Sequence, residues 1–179
     1  MWWYKTRMPA FHTPVNFRRA TSILCLAGAA LLCACGFQLR GQTTLPFETL
    51  YVQGASPLLV ELKRNVTAGS QTKLVDRAES AEAVLAITVE AREKVILSLD
   101  TSGRVREYQL RYRVGFFVHD AKGLNWIPTS EIALTRDISF NDVQIIAKEN
   151  EEALLYRDMQ TDMVQQIVRR LARAQRSGG

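Results

Sequence analysis

Two cysteines separated by one residue, Cys33 and Cys35, have the type and spacing to do chemistry. A Cys-x-Cys pair can supply thiolates for redox exchange or for binding a soft metal ion. It can also be an incidental pair in a membrane segment, or a substrate for a processing enzyme. The surrounding sequence, LLCACGFQLRG over residues 31–41, changes abruptly from apolar to polar. The residues before this change therefore decide between these interpretations.

A basic and then an apolar segment precedes the cysteine pair. Arg18 and Arg19 are followed by the uncharged run ATSILCLAGAALL over residues 20–32. A basic region, a short apolar region and small residues before a cleavage site are typical of a secretory signal peptide. Because a membrane-spanning helix needs about 20 apolar residues, an uncleaved anchor helix is the weaker interpretation. Residues 1–34 are therefore predicted to be a signal peptide.

The tetrapeptide LCAC at residues 32–35 resembles the lipobox of bacterial lipoproteins, which are cleaved before the last cysteine and acylated on it. Cys35 is therefore the predicted lipid-attachment site, and the earlier cysteines would leave with the signal peptide. No pair then remains in the mature chain for a disulfide or a metal. Several acyl chains anchor a protein stably to a membrane, with residues 35–45 as a short tether. Gly36 in place of Asp points to the outer membrane.

Residue types that perform catalysis are scarce after residue 34. His119 is the single histidine of that part of the sequence, and no Gly-x-Ser-x-Gly, His-Glu-x-x-His or Cys-x-x-Cys motif occurs. Glu149, Glu151, Glu152 and Asp158 lie in the first turns of a predicted helix, where the helix dipole favours acids without any catalytic role. No catalytic residue, metal site or cofactor is therefore predicted. A small lipid-anchored hydrolase that uses His119 is the weaker alternative.

The charge distribution argues against a nucleic-acid partner. The 179 residues carry 23 Lys and Arg against 18 Asp and Glu. Four of the basic residues lie in residues 1–34, which have no acid, so 19 basic residues remain against 18 acidic ones. A nearly neutral mature chain has no general polyanion-binding surface, and any basic site must be a local patch.

The first structural elements are predicted from hydrophobic spacing. A strand is expected near residues 47–52, and a helix is expected after it. Ser56 suits the N-cap, Pro57 suits the first helical position, and Gly69 suits the C-terminal end. Between them, apolar residues recur at helical spacing: Leu58, Leu59, Leu62 and Val66.

Three strands and a long helix are predicted to follow. The first of these strands should bury the face formed by Leu85, Ile87, Val89 and Ala91. The second alternates apolar residues with Glu107, Gln109, Arg111 and Arg113, so it has one wet face. The third covers residues 126–138, where Pro128 argues for an edge position or a bulge. Residues 148–176 have apolar side chains at steps of four, which predicts an amphipathic helix.

The predicted order is β-α-β-β-β-α in a single domain over residues 46–176. Two helices that cover one face of a four-stranded mixed sheet are the economical packing of these elements. The fold class is therefore an α/β (α+β) sandwich.

Basic residues near the predicted hairpin and final loop could form a binding site. Arg104 and Arg106 flank the hairpin, and Arg136 and Lys148 bracket the loop before the last helix. Arginine forks match phosphate oxygens in pairs, so a convergence of these residues could hold a phosphorylated lipid head group. The alternative is that they are ordinary surface charges interspersed with acids.

Three segments resemble one protein family. CGFQLRG at residues 35–41, REYQLRYRV at residues 106–114, and LTRDISFNDVQIIAKENEEALLYRDMQTDMVQQIVRRL at residues 134–171 are similar to the LPS-assembly lipoprotein LptE family. The resemblance implies a fold of two helices on a four-stranded sheet and no enzymatic activity. It also implies a lipid-anchored protein on the periplasmic side of the cell outer membrane.

The resemblance further implies two partners. One is the LptD outer-membrane β-barrel, which family members plug and help to assemble. The other is lipopolysaccharide, which they bind and help to transport and insert at the cell surface. Lys148 matches the family's lysine before the last helix, whereas Thr101 stands where the family has a basic hairpin residue and Arg104 follows three positions later. A lipid-anchored periplasmic carrier of lipids without a barrel partner is the alternative.

Overall fold

The computed structural model describes residues 43–141 and 144–175, so the predicted signal peptide and Cys35 lie outside the described residues. The strands are β1 (Thr49–Val52), β2 (Lys73–Leu74), β3 (Ala83–Leu99), β4 (Val105–His119) and β5 (Asn125–Ser139). The helices are α1 (Pro57–Gly69) and α2 (Ile145–Ala172), and a short 3-10 helix (Ala78–Ser80) precedes β3.

The strands form one mixed sheet in the order β2-β1-β3-β4-β5. β1 runs parallel to both of its neighbours, and β3, β4 and β5 form an antiparallel meander. The prediction of four strands was wrong by one, because β2 has two residues and is too short to show alternation in the sequence. The backbone N–H of Lys73 nevertheless donates to the Glu48 carbonyl at 2.8 Å.

Helix α1 begins where its sequence predicts. The Ser56 hydroxyl accepts a hydrogen bond from the Leu59 backbone N–H at 3.4 Å, and Pro57 occupies the first turn. The helix ends at Gly69, and its buried side chains are the predicted ones: Leu58, Leu59, Leu62 and Val66. Local capping and spacing were therefore sufficient to predict this element.

Helix α2 packs beside α1 but begins three residues before the predicted Lys148. Gln144 precedes it without a side-chain cap, which explains why the sequence shows no start signal there. Every buried side chain of α2 lies in its second half: Met159, Met163, Val164, Ile167 and Leu171. These side chains form one core with α1 and with the inner face of the sheet.

A β-bulge in β3 overturns the face predicted for that strand. Ile87 lies opposite Phe116, whereas Val89 lies opposite Gly115, so Thr88 is an extra residue on β3. An extra residue moves all later side chains to the other face. Leu85 and Ile87 therefore face the core as predicted, but Val89 and Ala91 do not. Their place on the helix-covered face is taken by Glu90, Arg92 and Lys94.

Pro128 lies where the sequence predicts, at both an edge and a bulge. β5 is an edge strand of the sheet. Its register against β4 shifts between the pair Phe116 with Ser130 and the pair Val118 with Ile127. Proline has no backbone N–H to donate, so it fits where the pairing of an edge strand is interrupted.

Replacing Gly115 by alanine tests the β3 bulge. An added Cβ would lie 2.5 Å from Thr88 Oγ1 and 2.8 Å from Val89 Cγ1, and both are stiff β-branched side chains. We expect Gly115→Ala to lower the free energy of unfolding by about 1–3 kcal/mol in urea denaturation of the full chain. Gly69→Ala is the control, because a Cβ there meets nothing within 4 Å. Equal effects of the two substitutions would contradict this account of the bulge.

Candidate functional site

Lys148 lies in the first turn of α2 and is held by two neighbours. Its Nζ donates to Ser139 Oγ at 3.0 Å and to Glu151 Oε2 at 2.8 Å. The Lys148 side chain is only 17% exposed, whereas that of Glu151 is 49% exposed. The Lys148 ammonium group is therefore held in a fixed position between a hydroxyl and an exposed carboxylate.

The hairpin between β3 and β4 is closed by Asp100. Its Oδ1 accepts hydrogen bonds from the backbone N–H groups of Ser102 and Arg104, and its Oδ2 lies 3.1 Å from Arg104 Nε. The Arg104 backbone N–H is the main reason that the pKa of Asp100 lies below its ordinary value, followed by the N–H of Ser102. Arg104 itself is 70% exposed, so most of its guanidinium faces water.

Arg106 lies beside the start of the loop that leads to α2. Its backbone carbonyl accepts a hydrogen bond from the Phe140 N–H at 2.8 Å. The side chain is exposed, and Arg106 is an extra residue in the register between β3 and β4, since Ser98 lies opposite Glu107 and Leu99 lies opposite Val105. Arg106 is therefore at the same end of the sheet as Lys148.

A cleft of about 200 Å³ lies between this end of the sheet and the start of α2, and we call it the distal cleft. The residues that line it are Lys94, Tyr108, Ile138, Ser139, Phe140, Ile145, Lys148, Glu149 and Glu152. Lys94 Nζ lies 4.3 Å from the centre of the Tyr108 ring and 2.6 Å from Glu152 Oε2. The Tyr108 and Phe140 rings meet edge to face at 5.3 Å.

Lys94 is a residue of the candidate site that the sequence analysis missed. Simple alternation from Leu85 would place Lys94 on the face away from the helices. The bulge at Thr88 brings it to the helix-covered face, where it joins Lys148 in the distal cleft. The glycine at position 115 opposite the bulge is the one signal in the sequence that could have indicated this change.

Arg136 is not part of the distal cleft. Its Nη2 lies 2.8 Å from Asp162 Oδ2, and its Nη1 donates to the Thr135 carbonyl at 2.9 Å. Asp162 follows Lys148 by 14 residues, which is about 20 Å along a helix. The structure therefore brings Arg106 and Lys148 to one end of the molecule and separates Arg136 from them.

The face of β3, β4 and β5 that neither helix covers combines charged and polar side chains with apolar ones such as Val89 and Ala91, and we call it the open face. Arg113 bridges two strands, with Nη2 at 3.2 Å from Glu93 Oε1 and Nη1 at 3.9 Å from Glu131 Oε2. Gln109 Nε2 donates to Asp137 Oδ1 at 3.1 Å. Arg111 lies on the same face, as predicted for the wet face of β4.

A polar network joins the sheet to both helices on the opposite face. The fully buried Tyr112 donates its hydroxyl to Glu90 Oε1 at 2.7 Å, and Arg92 lies 4.7 Å above its ring. Arg92 Nη2 also donates to Gln160 Oε1 at 2.7 Å, and Gln160 Nε2 donates to Glu61 on α1 at 2.7 Å. These bonds fix α1, α2 and β3 relative to one another.

His119, on which the hydrolase alternative depends, contacts its neighbours at the end of β4. His119 is the last residue of β4, its Nδ1 lies 2.7 Å from the Asp120 carbonyl oxygen, and its ring stacks on Phe117. Within residues 43–141 and 144–175, no group of three or more His, Cys, Asp or Glu side chains could hold a metal ion. In that same part of the chain, no helix has both the length and the apolar character that crossing a membrane requires.

Comparison with known proteins identifies the family. The family model LptE, described as lipopolysaccharide-assembly, matches residues 47–171, which is more than half of the chain. The chain belongs to the LptE family. A curated relative, the LPS-assembly lipoprotein LptE of Pectobacterium atrosepticum, is 29% identical over 162 residues. That match covers 88% of this chain and 86% of the relative.

Two solved structures share the LptE fold. The solution structure of lipoprotein B from Nitrosomonas europaea is 45% identical, with a TM-score of 0.66, over 75% of this chain and 88% of that one. The crystal structure of rare lipoprotein B from Shewanella oneidensis is 26% identical, with a TM-score of 0.61, over 69% of this chain and 93% of that one. The predicted family and fold class are thus confirmed, apart from the fifth strand.

Family membership makes this chain a lipoprotein of lipopolysaccharide assembly. The LptE family is described by an assembly role and not by a reaction, in agreement with the prediction of a non-enzymatic protein. The matched region, residues 47–171, contains the distal cleft and the open face. The signal peptide, the tether, Cys35 and the domain bounds 46–176 stay predictions.

Ionisation of Tyr112 offers a test of the polar network. Burial, and then its hydrogen bond to Glu90, raises the pKa of Tyr112 from 10.0 to about 12. The folded chain keeps this proton at a pH where the unfolded chain loses it. The stabilisation is therefore complete below pH 10 and is lost as the pH rises through 12.

We expect the free energy of unfolding of the wild type to fall more than that of Tyr112→Phe over this pH range. The expected difference is on the order of 2 kcal/mol, measured by urea denaturation at each pH. Lysines and the other tyrosines also ionise in this pH range. Their contribution to the change in the free energy of unfolding is the same in both proteins, so it cancels in the comparison with Tyr112→Phe. Parallel pH profiles of the two proteins would show that Tyr112 ionises normally.

Proposed function

We propose that this LptE family member is an outer-membrane lipoprotein that plugs an LptD-type β-barrel, helps it to assemble, and binds lipopolysaccharide during its transport to the cell surface. Acyl chains on Cys35 would anchor it on the periplasmic side. An anchor beside the barrel raises the effective concentration of the plug at its binding site. Family membership and two surfaces of the molecule, the open face and the distal cleft, support this proposal.

The open face is the surface that we propose contacts the wall of the barrel. The lumen of a wide outer-membrane barrel is polar, so its wall offers hydrogen-bonding groups and charges of both signs. A contact face for such a wall needs mixed charges that are already partly paired, because a buried unpaired charge is costly. Arg113 with Glu93 and Glu131 has this character, as does Gln109 with Asp137.

The distal cleft is the site that we propose binds the phosphates of lipopolysaccharide. Lys94 and Lys148 line it, and both pair with carboxylates of α2 at the edge of the cleft. A lipid phosphate could take the place of Glu151 or Glu152 and form charge-assisted hydrogen bonds to the two ammonium groups. The carrier alternative would instead need a deep apolar cavity, since a lipid carrier must enclose its acyl chains.

Co-purification tests the barrel partner. We expect the tagged full chain, isolated from detergent-solubilised outer membranes, to retain a large β-barrel in stoichiometric amount. Arg111→Glu on the open face should lower the amount of recovered barrel by about threefold or more. A reversed charge would meet a like charge on a wall that is complementary to arginine, and such a contact is strongly unfavourable. Arg157→Glu, an exposed position on α2, is the control and should retain the barrel. A protein that elutes alone, or with lipid only, would overturn the plug and favour the carrier.

Substitutions in the distal cleft test lipopolysaccharide binding. Lys148→Met should weaken retention of lipopolysaccharide by about threefold to tenfold, since one charge-assisted contact is lost. Glu151→Gln should strengthen it, because Glu151 competes with phosphate for the Lys148 ammonium. Lys122→Met, an exposed lysine in the turn between β4 and β5, controls for general charge. If all three variants bound equally, the cleft would not be the phosphate site.

A further inference from the structure

Exposed aliphatic side chains are concentrated at the distal end of the molecule. Among the described residues, eight large hydrophobic side chains are exposed, and five of them lie at this end. They are Ile96 (58% exposed), Leu97 (46%), Leu99 (55%), Ile145 (48%) and Ile146 (77%), and we call them the apolar rim. A contiguous exposed apolar surface commonly marks a site of interaction.

The apolar rim borders the distal cleft. Ile96 lies opposite Tyr108 in the sheet, and Tyr108 and Ile145 both line the cleft. Leu97 is an extra residue in the register between β3 and β4, since Ile96 pairs with Tyr108 and Ser98 pairs with Glu107. A bulge of this kind redirects a side chain out of the regular pairing.

The fold itself does not account for these residues. Ile145 and Ile146 begin α2, yet β-branched residues have lower helix propensity and the helix has no side-chain cap there. The buried core of α2 starts only at Met159. Isoleucines in an exposed first turn therefore serve neither the start of the helix nor the core.

The charges beside the rim decide which occupant fits it. Lys94 and Lys148 lie in the cleft that the rim borders, and Arg106 lies at the same end. A polar barrel wall would not match five exposed aliphatic side chains, and a purely apolar partner would not match the ammonium groups. An amphiphile with an anionic head group and aliphatic chains matches both.

We propose that the apolar rim holds acyl chains of the lipid whose phosphates meet Lys148 and Lys94. The inference rests on the proposed binding of lipopolysaccharide and adds the part of the ligand that the rim would contact. Contact with acyl chains removes aliphatic side chains of the rim from water, so affinity depends on acylation as well as on phosphate.

Binding of two matched lipids tests the proposal. The full chain in a mild detergent is titrated with hexa-acylated lipid A and with its fully O- and N-deacylated form, which keeps the same phosphates and has no acyl chains. We expect Ile96→Ser and Ile146→Ser to weaken binding of hexa-acylated lipid A by about tenfold and to leave binding of the fully deacylated form unchanged. Val60→Ser and Leu124→Ser are matched controls, at 48% and 47% exposure on other surfaces, and should bind as wild type does.

Each of the other outcomes contradicts a specific part of the proposal. If the rim variants bind hexa-acylated lipid A as tightly as wild type, the acyl contact is wrong while the phosphate site stands. If they keep lipid binding but lose the co-purifying barrel, the rim contacts protein and the proposal is wrong. If wild type binds neither lipid, the proposed lipopolysaccharide binding itself fails.

Discussion

The extra residue in β3 is the constraint on which both surfaces of the molecule depend. Thr88 has no partner in the register between β3 and β4, and Gly115 on β4 leaves room for the distortion. Past this point, Arg92 and Lys94 face the helices, and Val89 and Ala91 face away from them. One residue therefore separates an apolar end of the sheet, where β3 contributes to the core, from a polar end, where it contributes charged side chains.

The two halves of α2 are consequently held by different forces. Its second half buries Met159, Met163 and Ile167 against α1 and the sheet, which is apolar packing of the ordinary kind. Its first half is held by side-chain bonds that reach the sheet, such as Lys94 to Glu152 and the Tyr156 hydroxyl to the Glu93 carbonyl at 2.7 Å. Bonds with exposed partners are individually weak and exchangeable. The ion pairs of Lys94 and Lys148 at the distal cleft are of this exchangeable kind, as the proposed binding of lipid phosphates requires.

Local signals in the sequence were sufficient to predict the features that depend on interactions between neighbouring residues. The cap at Ser56, the spacing of α1, and the edge position of Pro128 each depend on a few neighbouring residues, and the structure agrees with all of them. The uncapped start of α2 and the two-residue β2 were missed, since neither carries a local signal. The resemblance to the LptE family came from longer segments, and the match over residues 47–171 confirms it.

By itself, the sequence determined the family, the fold class, the long helix and the wet face of β4, because hydrophobic spacing and turn residues act over short distances. Only the tertiary structure decided which basic residues share a site. Arg136 and Lys148 are close in the sequence, but Arg136 pairs with Asp162, far along α2 from Lys148, whereas Lys94 and Lys148 are distant in the sequence and line one cleft. That grouping depends on strand register and on one bulge, which arise from pairing between distant segments and leave little trace in the local pattern.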